Sequence, residues 1–216
     1  MKPYQIDFIR LALAHNVLKF GEFTLKSGRG SPYFFNAGNF SSGASLATLG
    51  RCYAEAIKAS GIEFEVLFGP AYKGISLAVT TVIAMNQATG ADIPCAFNRK
   101  EQKQHGEGGS LIGATLGGRV LIIDDVITAG TAVREVVELI RGAGAEVAGV
   151  VVGLDRAERG KDGRSALSEL SNELRAPIVS IINLNDIIGF IERDEQYAEH
   201  LPAIRAYRAQ WGAATP

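Results

Sequence analysis

The amino-acid sequence predicts an α/β protein: a mostly parallel central sheet flanked by helices, with a small hood formed by the N-terminal residues. Three observations support this fold class. Short apolar segments alternate with helical patterns after about residue 61, residues 120–123 form a continuous apolar run, and the first 61 residues follow a different pattern. A short continuous apolar run is typical of a strand that is buried on both faces of a parallel sheet.

The hood is expected to comprise residues 1–61. An apolar pattern interspersed with charges predicts an amphipathic helix over residues 1–20 and argues against a signal peptide. Aromatic segments predict short strands at residues 22–25 and 33–36, and a helical pattern covers residues 45–60. We expect these elements to lie over the sheet like a lid.

The rest of the chain is expected to build the sheet. Predicted strands occupy residues 65–68, 93–97, 120–123, 147–154 and 178–182, and predicted helices occupy residues 76–88, 133–142 and 164–175. Because strands that alternate with helices pair in parallel, the sheet should be mostly parallel. Residues 192–211 are expected to close the fold as an amphipathic helix that Pro202 interrupts.

Length and composition fit a single domain over residues 1–216. Of the 216 residues, 47% are hydrophobic and 21% are charged, which is ordinary for a globular protein. A net charge of −1 creates no global field toward nucleic acid or a membrane, and no apolar run reaches membrane-spanning length. We therefore expect a cytoplasmic protein that binds neither nucleic acid nor a membrane. Cys52 and Cys95 lack the spacing of a metal site and are expected to be buried thiols.

Residues 120–132 are the most informative segment. Asp124 and Asp125 follow the apolar strand, and small residues occupy positions 128–132 before a helical pattern begins. Ligands of open α/β sheets gather at the carboxyl ends of strands, and the free N–H groups of a helix start attract anions. The strand and its acids alone are also compatible with two solvated carboxylates or with the metal-holding half of a P-loop ATPase. The ATPase is excluded because the chain has no Gly-x-x-x-x-Gly-Lys-Ser/Thr segment.

This segment resembles the phosphoribosyl diphosphate motif of the type I phosphoribosyltransferases. The resemblance implies the fold of that family and transfer of ribose 5-phosphate from 5-phospho-α-D-ribose 1-diphosphate (PRPP) to a nitrogen base. One carboxylate would bind the ribose hydroxyls, and the loop of small residues would hold the 5-phosphate. The PRPP-binding residues implied in this segment are Asp124, Asp125, Val126, Ile127, Thr128, Ala129, Gly130, Thr131 and Ala132.

A charged, glycine-rich segment at residues 99–110 is a second candidate. Its cations suit a mobile lid that neutralises a diphosphate leaving group, although charge alone favours a solvated surface loop. The pattern Arg-Lys-x-x-Lys-x-His, from Arg99 to His105, is similar to the catalytic loop of the orotate phosphoribosyltransferases. In that family the loop crosses a twofold axis, so the resemblance implies a homodimer. Lys103 and His105 would act in the neighbouring subunit and Lys100 in its own, while Arg99 would serve either; the role of His105 is left open.

Other positions carry the same resemblance. Tyr72 and Lys73 match the diphosphate-binding loop of the family, and Lys26 matches a contact to PRPP. A Gly-Pro turn between strand and helix would explain the shape of the loop without a ligand, but it leaves Lys73 unexplained.

Recognition of the base is implied for a separate set of residues. The positions that match orotate contacts are Phe34, Phe35, Thr128 and Arg156. Without the resemblance, Phe34 and Phe35 would be interpreted as core aromatics. Arg156 would then be an ion-pair partner of Asp155 or Glu158.

Together these matches imply Mg²⁺-dependent transfer of ribose 5-phosphate to orotate, giving orotidine 5′-phosphate and diphosphate in de novo pyrimidine (UMP) biosynthesis. Diphosphate, ribose oxygens and water would hold the Mg²⁺, with Asp124 and Asp125 acting through the water. The implied catalytic residues are Lys26, Lys73, Arg99, Lys100, Lys103, His105, Asp124 and Asp125. Two alternatives stay open: a phosphoribosyltransferase for another base, and a non-catalytic regulator that senses PRPP.

Overall fold

A computed structural model describes residues 1–25, 28–99, 111–127, 130–160 and 163–213. The strands are β1 (Leu18–Thr24), β2 (Gly30–Phe35), β3 (Val66–Gly69), β4 (Cys95–Asn98), β5 (Leu111–Gly113), β6 (Arg119–Val126), β7 (Glu146–Asp155) and β8 (Ile178–Asn183). The α-helices are α1 (Pro3–Ala14), α2 (Gly43–Ser60), α3 (Lys73–Thr89), α4 (Thr131–Gly142), α5 (Ala166–Leu174), α6 (Leu184–Ile191) and α7 (Leu201–Trp211). Short 3-10 helices cover Ala37–Asn39 and Glu195–His200.

Six of the strands form the central sheet, in the order β5-β4-β3-β6-β7-β8. Strands β4, β3, β6, β7 and β8 are parallel, and β5 pairs antiparallel with β4 at the edge. The predicted α/β class with a mostly parallel sheet is therefore confirmed. From β3 the chain moves outward to β4 and then returns to place β6 on the other side of β3. This reversal of strand order between β3 and β6 creates a crevice at their carboxyl ends.

Helices cover both faces of the sheet, and alternate side chains of β6 pack against the helices of one face or the other. Leu121 and Ile123 pack in a cluster with residues of α1, α2 and α3. Val120 and Ile122 point to the other face, where they pack with residues of α4 and α5. Because successive side chains of a strand alternate between faces, a strand buried on both sides must be apolar throughout. All four residues are fully buried.

The N-terminal elements pack against the first of these faces. Phe8 and Ile9 of α1 are fully buried, and Gln5 donates a side-chain hydrogen bond of 2.9 Å to the carbonyl of Ile181 in β8. Strands β1 and β2 form an antiparallel hairpin outside the central sheet. Helix α1 is shorter than expected because Asn16 adopts a left-handed backbone (φ 55°) and turns the chain into β1. The hood itself stays a prediction.

The C-terminal region differs from the prediction. The segment expected to be one interrupted helix, residues 192–211, begins with a turn after α6 and then forms a 3-10 helix and α7. Pro202 lies in the first turn of α7, where no intrahelical partner is needed for its missing N–H, so it starts the helix instead of interrupting it. Helix α6 and strand β5 were not predicted. Within the described residues, no helix combines the length and apolar character needed to cross a membrane.

Candidate active site

The carboxyl ends of four neighbouring strands bring the predicted site residues to one edge of the sheet. Lys73 begins α3 after the turn that follows β3, and Asp124 and Asp125 end β6. Arg99 follows β4, and Arg156 follows β7. Because β4, β3, β6 and β7 are adjacent and parallel, these residues surround the crevice at the point where strand order reverses.

An ion pair crosses this crevice. Nζ of Lys73 lies 2.7 Å from Oδ2 of Asp125, with half of the lysine side chain exposed and only 13% of the aspartate side chain. The turn before Lys73 is fixed from β4, because the backbone N–H of Ala71 donates to Oδ1 of Asn98 at 2.8 Å. This turn also contains a cis peptide bond between Ala71 and Tyr72, and Tyr72 is 66% exposed. Lys73 thus reaches from the β3 side to the β6 side, with its charge accessible to a ligand.

Asp124 points to the opposite face of the sheet from Asp125. Its backbone carbonyl accepts a 2.8 Å hydrogen bond from the hydroxyl of Tyr53, a buried residue of α2. Its Oδ1 accepts from the backbone N–H of Asp125, also at 2.8 Å. Burial, followed by the charge of Asp125, raises the pKa of Asp124 to about 7. Ionisation of this carboxyl is therefore unfavourable unless a bound cation or hydrogen-bond donor stabilises its charge.

The start of α4 forms an open cradle beside Asp124. Gly130 precedes the helix with a left-handed backbone (φ 72°), and this N-cap residue makes no side-chain hydrogen bond to the helix. The first helical hydrogen bond runs from Arg134 N–H to the Gly130 carbonyl, so the earlier N–H groups of the helix have no intrahelical acceptor and can serve an anion. A cavity of about 250 Å³ lies here. Its lining residues are Asp124, Val126, Ile127, Gly130, Thr131, Ala132 and Val133.

Arg156 lies in a polar cluster between β7, the hairpin and α7. Its Nε donates to Oε1 of Glu158 at 2.6 Å, so the ion pair with Glu158 that the sequence left open is present. Its Nη2 is 3.2 Å from both the Ser31 and the Tyr207 hydroxyls. The guanidinium also stacks over the ring of Tyr33, 4.4 Å from the centroid. Only 11% of the side chain is exposed.

Phe34 and Phe35 do not lie together. They are consecutive residues of β2, so their side chains point to opposite faces of the hairpin. Phe34 is 38% exposed and stacks on Phe23 with ring centroids 5.5 Å apart. Phe35 stacks on the buried ring of Phe8 at 6.2 Å. The structure therefore does not bring the two rings into one wall against a flat base.

Six predicted site residues lie outside the described part of the chain: Lys26, Lys100, Lys103, His105, Thr128 and Ala129. Arg99 is described, and its Nε is buried with no hydrogen-bond partner among the described residues. In the same residues, no cluster of three or more His, Cys, Asp or Glu could hold a metal. Cys52 is a buried thiol as expected, whereas Cys95 is only partly buried.

Sequence reasoning missed Tyr53, Asn98 and Tyr207, which help to hold the site together, and it named Glu158 only as an alternative ion-pair partner of Arg156. Tyr53 contacts the backbone of Asp124, and Asn98 contacts the backbone of Ala71 in the turn before Lys73. Glu158 and Tyr207 contact the side chain of Arg156. Tyr53 fits the apolar pattern of α2 and looks like an ordinary core residue. Glu158 could be predicted as a partner of Arg156 because it lies only two residues further along the chain. Tyr207 is 51 residues away from Arg156, and nothing in the sequence indicated this contact.

Known proteins resemble this chain over most of its length. Residues 40–182 match the phosphoribosyl transferase domain. The chain is 59% identical over 212 residues to orotate phosphoribosyltransferase of Pseudomonas aeruginosa, covering 98% of this chain and 100% of the relative. It is 60% identical over 213 residues to the Pseudomonas fluorescens protein of the same name, with the same coverage. The crystal structure of orotate phosphoribosyltransferase from Francisella tularensis aligns with a TM-score of 0.84 at 42% identity, covering 95% of this chain and 98% of that one.

The domain match extends over more than half of the chain, from before α2 to the end of β8, and therefore defines the class: a phosphoribosyltransferase. The relatives that match over nearly the full length are more specific. The chain belongs to the orotate phosphoribosyltransferase family.

Proposed function

We propose that this protein transfers ribose 5-phosphate from PRPP to orotate, forming orotidine 5′-phosphate and diphosphate in de novo pyrimidine biosynthesis. The observation that carries the proposal is the arrangement at the strand ends. Lys73, the two carboxylates and the open start of α4 surround one crevice, and Arg156 follows the next strand. Membership of the orotate phosphoribosyltransferase family supports the choice of substrate.

The donor binds between β3 and β6. Its 5-phosphate accepts hydrogen bonds from the N–H groups at the start of α4, with Thr128 and Ala129 completing the loop. One of the two carboxylates at the end of β6, Asp124 or Asp125, accepts hydrogen bonds from the ribose hydroxyls. Lys73 then exchanges part of its pairing with Asp125 for the diphosphate, which is possible because half of its side chain is exposed.

The acceptor binds toward β7. Orotate carries a carboxylate that uracil and the purines lack, and Arg156 supplies the matching cation. An arginine that is almost buried makes this recognition selective, because a base without the carboxylate would leave polar groups unpaired. Phe34, Phe35 and Thr128 are further proposed contacts to orotate. Phe34 is the more exposed of the two aromatic rings and the better placed to meet a ligand.

The reaction is a displacement at the anomeric carbon. The anionic pyrimidine nitrogen attacks that carbon, the bond to the diphosphate oxygen breaks with its electron pair leaving on diphosphate, and the configuration inverts from α to β. The protein positions the two reactants and stabilises charge that develops on the leaving group. The residues proposed to bind that charge are Lys26, Tyr72, Lys73, Arg99, Lys100, Lys103 and His105.

Mg²⁺ is the proposed cofactor. The two carboxylates at the end of β6 fit a hard cation that keeps several waters, because their oxygens can accept hydrogen bonds from those waters beside the diphosphate site. Asp124 and Asp125 would hold the ion through these waters, and the bound ion would neutralise charge on the diphosphate. We also propose a cytoplasmic homodimer in which Lys103 and His105 reach the site of the neighbouring subunit.

A spectrophotometric assay of orotate consumption with PRPP and Mg²⁺ tests this function. We expect turnover with orotate and rates at least about a hundredfold lower with uracil or hypoxanthine. Equal rates on uracil would overturn the assignment of the base, and the absence of turnover would favour a PRPP-binding regulator. Lys73→Gln should raise the KM for PRPP more than the KM for orotate. Lys58→Gln, an exposed lysine in the last turn of α2, is the matched control.

A further inference from the structure

Arg156 is held so that only one edge of its guanidinium is open. A guanidinium has five N–H groups. The Nε group donates to Glu158, and Nη2 donates to the hydroxyls of Ser31 and Tyr207. The two N–H groups of Nη1 have no acceptor among the described residues. Because little of this side chain is exposed, these groups require an acceptor from a ligand or from water.

Glu158 is the only acidic side chain that pairs with Arg156 in the described residues, and it is shared. Its Oε2 accepts from Nη1 of Arg29 at 2.9 Å, while its Oε1 accepts from Arg156 and from the Tyr207 hydroxyl at 2.5 Å. Arg29 is fixed in turn by the ring of Trp211, 4.1 Å from its guanidinium carbon. Among these three side chains, the two guanidiniums carry one positive charge more than the carboxylate of Glu158 neutralises.

We propose that Glu158 is a positioning residue for the substrate. It directs the Nη1 edge of Arg156 toward the bound base and neutralises one of the two guanidiniums. The one remaining positive charge matches the additional carboxylate of orotate. This inference rests on the proposed function, because it assigns Arg156 to that carboxylate. A preformed cluster of this kind lowers the cost of ordering the arginine when substrate binds.

The local backbone does not depend on Glu158. Oδ1 of Asp155 accepts a 2.7 Å hydrogen bond from the backbone N–H of Ala157, and Ala157 has a left-handed backbone (φ 50°). This contact holds the turn that carries both Arg156 and Glu158. A substitution of Glu158 that keeps its length should therefore preserve the turn and alter only the charge and the hydrogen bonds of the cluster.

Glu158→Gln is the primary test. The amide offers one acceptor oxygen and presents N–H donors to a guanidinium, so it cannot hold both Arg29 and Arg156. We expect the KM for orotate to rise about tenfold, with kcat and the KM for PRPP within about twofold of wild type. Tyr207→Phe removes an uncharged side-chain partner but keeps the ion pair between Arg156 and Glu158, so it should raise the KM for orotate only about threefold.

Two controls separate this inference from the proposed function. Glu192→Gln removes a carboxylate that pairs with Arg205 of the same helix as Tyr207, and it should leave both KM values unchanged. Arg156→Ala should raise the KM for orotate at least as much as Glu158→Gln does. If wild type does not turn over orotate, the proposed function fails. If Arg156→Ala raises the KM for orotate but Glu158→Gln does not, only the positioning role is overturned. Equal rises in both KM values, with a lower Tm, would show a general structural role and would also overturn it.

Discussion

Asp124 is a partly buried carboxyl whose ionisation opposes folding. Its pKa is raised to about 7 by burial and by the charge of Asp125, so the folded chain retains a proton that the unfolded chain releases near pH 4. Stability should therefore fall as the pH rises from about 4 to 7. Asp124→Asn removes this titration, and its amide oxygen can still accept from the backbone N–H of Asp125. Relative to wild type, the variant should gain about 2 kcal/mol more at pH 8 than at pH 5.

Urea unfolding of the ligand-free protein at both pH values measures this difference. Glu63→Gln is the control, because that side chain is 90% exposed. We expect it to follow wild type at both pH values. A gain for Asp124→Asn that is the same at pH 5 and pH 8 would contradict the raised pKa.

Two buried tyrosines provide a matched test of one hydrogen bond. The Tyr53 hydroxyl donates to the carbonyl of Asp124, whereas the Tyr33 hydroxyl is buried with no partner among the described residues. Tyr53→Phe should cost about 1 kcal/mol of unfolding free energy, because it leaves the carbonyl with one partner fewer. Tyr33→Phe should cost nothing or be stabilising. Urea unfolding of both variants measures the difference. Because phenylalanine keeps the ring, equal losses would mean that the hydrogen bond to the carbonyl of Asp124 does not set the effect.

At the scale of elements, the junction of β3 and α3 requires glycine. A Cβ on Gly69 would lie 2.1 Å from the carbonyl oxygen of Gly74, so Gly69→Ala must displace the start of α3 and Lys73 with it. We expect a loss of about 2 kcal/mol or more in unfolding free energy and a higher KM for PRPP. Gly189→Ala is the control. A Cβ at Gly189 in α6 meets nothing within 4 Å, and alanine should stabilise that helix by about 0.5–1 kcal/mol. Unfolding curves that shift in the same direction for both variants would contradict this account.

The elements that sequence predicted well are those whose local pattern matches their burial. Strand β6 is apolar on both faces because helices cover both faces, so its pattern is continuous and unambiguous. Strand β5 is only three residues long and is held by pairing with β4, so no periodicity could reveal it. Helix α6 did carry a signal, the capping box of Asn183 and Asp186, but the apolar pattern of β8 continues into the helix and obscured it.

At the scale of the whole molecule, the predictable part of the site is the part that lies at strand ends. Lys73, Asp125 and Arg156 could be placed at one edge because parallel strands share a direction. Their supporting contacts could not be predicted, because they join distant parts of the chain. Tyr53 and Asp124 are 71 residues apart, and Arg156 and Ser31 are 125 residues apart. Only the packed fold shows that α2, the hairpin and α7 all hold the same site.

The proposed exchange of loops between subunits is the prediction that belongs to the complete assembly. Lys103→Ala should inactivate the site that its loop reaches, and Asp124→Asn combined with Asp125→Asn should inactivate the site of its own chain. Each homodimer should be nearly inactive. When equal amounts of the two variants are unfolded together and refolded, about half of the dimers are mixed, and each mixed dimer contains one intact site, so about a quarter of wild-type activity should return. Refolding each variant alone is the control. No recovery in a mixture whose mixed dimers are verified by differently tagged chains would show that each loop serves its own subunit.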